Sequence, residues 1–185
     1  VLQLETGFQW TFFSSRTYLN SHWGELPMST DSKRRHLRLD SLADLRSELE
    51  RIEQADREGR LEATGQWTAG QILAHLAAWI EYGYEGYPMR KPPLLLRWFL
   101  RWKLPSYLQH GMAVGVRIPG VPGGTYGIDR MEVYGAAERL HRALGRLEAK
   151  EPCPHDSPAF GPMSLEDRVR LNLRHAELHL GFLRY

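Results

Sequence analysis

The chain has 185 residues, enough for one domain with a full core and short for two. Its formal net charge of +2 gives no electrostatic case for nucleic acid, and its single cysteine, Cys153, excludes an internal disulfide and fits a reducing compartment. No apolar run approaches the roughly 20 residues of a spanning helix, and the first residues lack the pattern of a signal peptide, so the expected location is cytoplasmic.

Residues 1–27 are rich in aromatic, Ser, Thr and Asn side chains and carry no sustained helical period. Met28 then opens MSTDSKRRHLRL, which reads like a natural start. The expected division is an N-terminal extension over 1–30 and one domain over 31–185, with a short core-covering strand around Phe8 to Phe13 as the alternative. Four helical signals follow. The first opens at Ser41, with Asp44 as its capping-box partner, and runs through Leu42, Leu45, Leu49 and Ile52. The second opens at Thr68 with Gln71 as partner, carries Ile72, Leu73, Leu76, Trp79 and Ile80, and ends near Gly86.

About forty Pro- and Gly-rich residues come next, unusually many for a connection in a compact domain. Within them, RKPPLLLRWFLRWKLP (90–105) mixes Arg97, Arg101 and Lys103 with Trp98, Phe99 and Trp102. The stretch predicts a helix of about ten residues laid across the domain with its arginines in solvent. Contact with a membrane surface, or with a second copy in a homodimer, is the sharper alternative. The third helical signal follows Gly127 through Val133, Ala137, Leu140, Leu144 and Leu147, until Pro152 stops it. The fourth opens at Ser164 with Asp167 as partner and is expected to continue to the end of the chain. Short connections favour antiparallel neighbours, whereas the long one can cross a whole bundle and make helices two and three parallel. The expected fold is all-α, an up-down-down-up four-helix bundle with a long crossover between helices two and three.

The functional question sits in the last segment, RHAELHLGFLRY. On a wheel of about 100° per residue, His175 and His179 point the same way, inside the apolar arc, in one column with Arg168 and Asn172. Glu166, Arg170, Arg174, Glu177 and Arg184 gather on the opposite side. A buried unpaired polar group costs about 1 to 3 kcal/mol, so a column of four needs satisfaction. Neighbours can supply it, or a divalent cation can, since His at i and i+4 presents two nitrogens to one ion. A further ligand must then come from another helix. His75, beside Ile72 and Trp79, is the best candidate, and His141, beside Ala137 and Leu144, competes with it. His22, His36, His110 and His155 are weaker. H-A-E-L-H is not the zincin H-E-x-x-H, because Glu177 points away from the pair. Without a repeated E-x-x-H, a di-iron carboxylate bundle is disfavoured. Cys153, in E-P-C-P-H, reads as incidental.

The segments WTAGQILAHLA and FGPMSLEDRVRLNLRHAELHLGFL, with HLRLDSLADLRSELERI, resemble the DinB-like superfamily of metal-binding four-helix bundles, and more closely a branch known only as a domain of unknown function. The likeness covers roughly residues 34–185 and is loose across the crossover. It implies the topology argued above. It also implies a metal held by one His of helix two and the H-x-x-x-H pair of helix four, here His75, His175 and His179. His141 has no matching role.

Zinc or nickel is the leading metal, with iron or manganese open, since His ligation does not select among them. Three His ligands leave a coordination position for water or a thiolate. Relatives that use low-molecular-weight thiols imply a metal-dependent transferase, or a hydrolase, acting on a small-molecule substrate, with Arg168, Asn172 and Trp79 as substrate-binding residues. The alternative is a non-catalytic metal- or ligand-binding bundle.

Overall fold

The computed structural model describes residues 34–118 and 121–185. The expected N-terminal extension, and the alternative strand at Phe8 to Phe13, lie outside them. Among the described residues the chain is all-α in class, with five α-helices and almost no sheet: α1 (Leu42–Arg57), α2 (Ala69–Glu85), α3 (Leu94–His110), α4 (Val133–Glu148) and α5 (Leu165–Leu180). Two short strands, β1 (Glu62–Ala63) and β2 (Leu183–Arg184), pair antiparallel. Among the described residues, no helix is long and apolar enough to cross a membrane.

Sequence chemistry sets the helix starts. Ser41 and Thr68 each accept from the backbone N–H three residues on, and Asp44 and Gln71 reach back to complete both capping boxes. Ser164 accepts from the Asp167 N–H. The core lies where α2 packs against α4 and α5, and α1 packs against the same two helices. Leu45, Leu49, Ile52, Leu73, Leu140, Leu144 and Leu180 are fully buried there.

Two glycines let backbone lie directly on α2. A Cβ on Gly70 would sit 1.9 Å from the Met131 carbonyl oxygen, so the approach to α4 needs a bare Cα. Gly127, at φ +76°, lies against Ala78 and Tyr82 of α2. A Cβ there would come within 2.6 Å of the Ala78 methyl.

Three expectations require correction. The crossover helix has 17 residues, not about ten, and continues through Pro105 to His110. Leu104 and Leu108 are buried beneath it, and that packing carries the helix past the proline. The last helix stops at Leu180 rather than at the chain end. Gly181 leaves it, its carbonyl accepts from the Arg35 N–H, and Leu183 enters β2 with its side chain fully buried.

Finally, Arg174 and Glu177 do not face solvent: they are 2% and 9% exposed. The Arg174 guanidinium donates to the Leu39 carbonyl at 2.5 Å, and Glu177 accepts from the Leu39 N–H at 2.6 Å. The two form an ion pair of 2.7 Å. The segment entering α1 covers that side of α5, and a salt-bridged pair clamps its backbone.

Candidate metal centre

His75 lies mid-way along α2, facing α5, and is buried. His175 and His179 stand one turn apart on α5 and are partly buried. One nitrogen from each ring can be chosen so that all three lie within 4.8 Å of one another. The ring centroids form a near-equilateral triangle, 4.9 Å from His75 to His175 and 4.7 Å on the other two sides. The i, i+4 spacing brings the α5 pair together, and the α2–α5 packing delivers the third ring.

Hydrogen bonding fixes one tautomer. His75 Nδ1 lies 2.8 Å from the Tyr126 carbonyl oxygen, which can only accept, so Nδ1 carries the proton and Nε2 presents a lone pair. That lone pair is 3.2 Å from His175 Nε2. Two nitrogens held at 2.0–2.1 Å from one tetrahedral ion are about 3.3 Å apart. The contact therefore has the spacing of a shared ligand set. A ring N–H oriented by a backbone carbonyl is also the arrangement that supports metal-binding imidazoles. Gly127 makes it possible, because it lets the loop bring the Tyr126 carbonyl against α2.

All three rings are held neutral. Burial lowers the pKa of His75 to about 4, against the opposing pull of the Tyr126 hydrogen bond. Burial, then His179 and His75, push His175 well below its ordinary value. His179 falls to about 3 through burial, His75 and Arg34. Metal binding needs unprotonated imidazole, so the donor set is ready at neutral pH.

Aromatic rings wall the cluster. Trp67 stacks on His179 at 5.1 Å with 13° between the planes and also touches His75. Trp79 meets His75 and His175 edge-on, at 6.0 and 5.7 Å, and its buried indole N–H has no partner among the described residues.

Arg168 is buried but donates to the His155 carbonyl at 2.9 Å and lies near Asp156. Asn172 turns an amide N–H back to the Arg168 carbonyl of its own helix. The polar column of α5 is thus partly satisfied internally, while its two histidines look to α2. His141 is elsewhere, on the α1–α4 seam, 2.9 Å from an Arg46 nitrogen and 3.5 Å from Glu53. The Cys153 thiol packs on Gly83, and burial raises its pKa.

Trp67 and the Tyr126 carbonyl were not singled out from the sequence. Trp67 immediately precedes the Thr68 cap, and an aromatic at that position was the one available signal for it. A loop carbonyl leaves no side-chain signal. Gly127, in T-Y-G, signals only a helix boundary in the sequence.

A three-imidazole cluster set between two helices of an all-α domain defines a histidine-site helical protein. The chain belongs to the family described as "Protein of unknown function (DUF1569)", which matches it over residues 31–185. No curated protein and no solved structure matches it.

Proposed function

We propose that this chain is a metal-dependent enzyme of the DinB-like type, in which His75, His175 and His179 hold one divalent ion. Zinc or nickel is the leading candidate, although three imidazoles accept iron or manganese as well. The observation that carries the reading is the convergence of three neutral imidazoles within 4.8 Å, with the His75 tautomer set by the Tyr126 carbonyl. When bound, the ion supplies a Lewis acid with an open position, where a low-molecular-weight thiol or a water is activated for transfer or hydrolysis. The protein's own part is to hold the rings neutral and oriented, and to keep bulk water off with Trp67 and Trp79.

Trp79 and Asn172 are the residues placed to face a small-molecule substrate. Arg168, whose guanidinium donates to the His155 carbonyl at 2.9 Å, is the third residue of that set.

The same reading takes residues 31–185 as one domain and α1, α2, α4 and α5 as an up-down-down-up bundle. Several pairs support it. Gly70 meets Met131 where α2 and α4 both begin, and Arg146 reaches Glu85 where both end. Arg46 near the start of α1 binds Glu148 at the end of α4. Trp67 ahead of α2 stacks on His179 late in α5.

Elemental analysis of untagged protein tests the site. About one equivalent of a single metal is expected in the wild type and none in folded His179→Ala. Equal metal in both would remove the ligand assignment. A second reading, a non-catalytic metal- or ligand-binding protein, draws on two clefts that lie beside α3 rather than at the histidines. Titrating cobalt-loaded protein with a small thiol separates the two. A new thiolate-to-metal absorption band supports the thiol-activating enzyme, and an unchanged spectrum together with no hydrolysis of activated esters supports the binding protein.

A further inference from the structure

We propose that the outer face of α3 docks on a membrane leaflet rich in anionic lipid. A surface helix ordinarily turns its apolar stripe to the core and its polar residues to solvent. α3 does not. Its inner side sets Leu104 and Leu108 into the domain, while Leu94, Leu95, Trp98, Phe99 and Trp102 are 76%, 84%, 71%, 44% and 63% exposed. At 100° per residue these five fall in one arc of about 140°, so they form a continuous outward stripe rather than scattered residues. They are also most of the large exposed hydrophobic side chains among the described residues.

Charge selects the occupant. Between Glu85 and Asp129 the chain holds no carboxylate, yet it carries Arg90, Lys91, Arg97, Arg101, Lys103 and Arg117. A stretch with one sign of charge repels a second copy of itself, which argues against a self-interface. It attracts an anionic surface. Lys103 and Arg101 stand on opposite edges of the apolar arc, and the Lys103 ammonium lies 5.0 Å from the Trp102 ring and 6.0 Å from that of Phe99. Tryptophans beside cations, with aliphatic residues between, are the side chains that settle at headgroup depth. Arg101 also donates to the Phe160 carbonyl, so the helix is tied to the loop before α5 and would carry the whole domain to the surface.

Co-sedimentation of the full chain with vesicles tests this, comparing phosphatidylcholine alone with phosphatidylcholine containing roughly a third phosphatidylserine. At low salt the wild type is expected to pellet with the anionic vesicles and to stay in solution with the neutral ones. Raising the salt should release it. Removing cations, as in Arg90→Ala with Lys91→Ala, should weaken binding about fivefold per charge. Trp98→Ala with Trp102→Ala should abolish pelleting with no change in circular dichroism or melting temperature, because both rings face out.

A wild type that stays in the supernatant at low salt would overturn the proposal, as would a tryptophan variant that pellets like the wild type. A wild-type dimer in sedimentation velocity that the tryptophan variant dissolves, without vesicle binding, would instead assign the face to a second copy. The metal-site variants should pellet normally, so this surface and the histidine site fail or stand separately.

Discussion

The helices α2 and α3 have the same length, 17 residues, and both are rich in apolar side chains, yet α2 is buried in the core while α3 carries most of the large exposed apolar side chains among the described residues. Size makes the difference. α2 presents Gly70, Ala74, Ala77, Ala78 and Gly83, which let α4, α5 and the loop at Gly127 close in from several sides. α3 presents Trp98, Phe99 and Trp102, which hold neighbours away except along Leu104 and Leu108. Small residues produce a helix that can be packed on all sides and can carry a buried histidine. Large ones leave an apolar face exposed on α3.

The comparison can be broken most forcefully at Gly70. Gly70→Ala drives a methyl into the Met131 carbonyl and should cost at least about 4 kcal/mol in denaturant unfolding, at the severe end for a single substitution. Leu73→Ala, at a fully buried position of α2, is expected to cost about 3 kcal/mol by the same measurement.

Gly127→Ala sharpens the comparison at the site. It adds strain at positive φ and a clash with Ala78, about 2 kcal/mol together, and it displaces the carbonyl that holds His75. Metal affinity in a competition titration should fall about 10- to 100-fold, as for loss of an orienting partner.

In chelated, metal-free protein, acid should destabilise the fold. His75 and His179 have folded pKa values of about 4 and about 3, below the ordinary 6.5. Above pH 6.5 both states are neutral and the stability is complete. As pH falls below 6.5 the unfolded chain takes up protons that the folded one refuses. Stability then declines by about 1.4 kcal/mol per pH unit for each such ring, until the folded pKa is reached. Melts across pH 7 to 4, compared with folded His179→Ala, check the slope. Smallest of all should be Leu95→Ala on α3, within about 0.5 kcal/mol of wild type despite the loss of a leucine side chain.

Much of the helix frame is legible in the sequence, because the caps at Ser41, Thr68 and Ser164 are local chemistry and their partners stand three residues away. The α5 histidine pair is legible for the same reason: one turn of helix sets both rings on one face. That His75 rather than His141 approaches them depends on how α2 meets α5, which no single helix encodes, and a family resemblance decided it in the sequence.

What failed did so where tertiary packing overrides a local rule. Pro105 stands where a helix ordinarily breaks, but Leu104 and Leu108 on either side of it are buried, so the crossover helix outruns its expected ten residues. Arg174 and Glu177 read as a solvent face until Leu39, some 135 residues away in the chain, covers them. The contact from Tyr126 is made by backbone alone, so composition cannot announce it.

The central claim is that three imidazoles share one ion. X-ray absorption at the metal edge of the reconstituted, untagged protein addresses it directly. The account predicts three imidazole nitrogens at about 2.0 to 2.1 Å in the wild type and two in folded His175→Ala. One imidazole or none in the wild type, or a His175→Ala spectrum identical to the wild type, would contradict it.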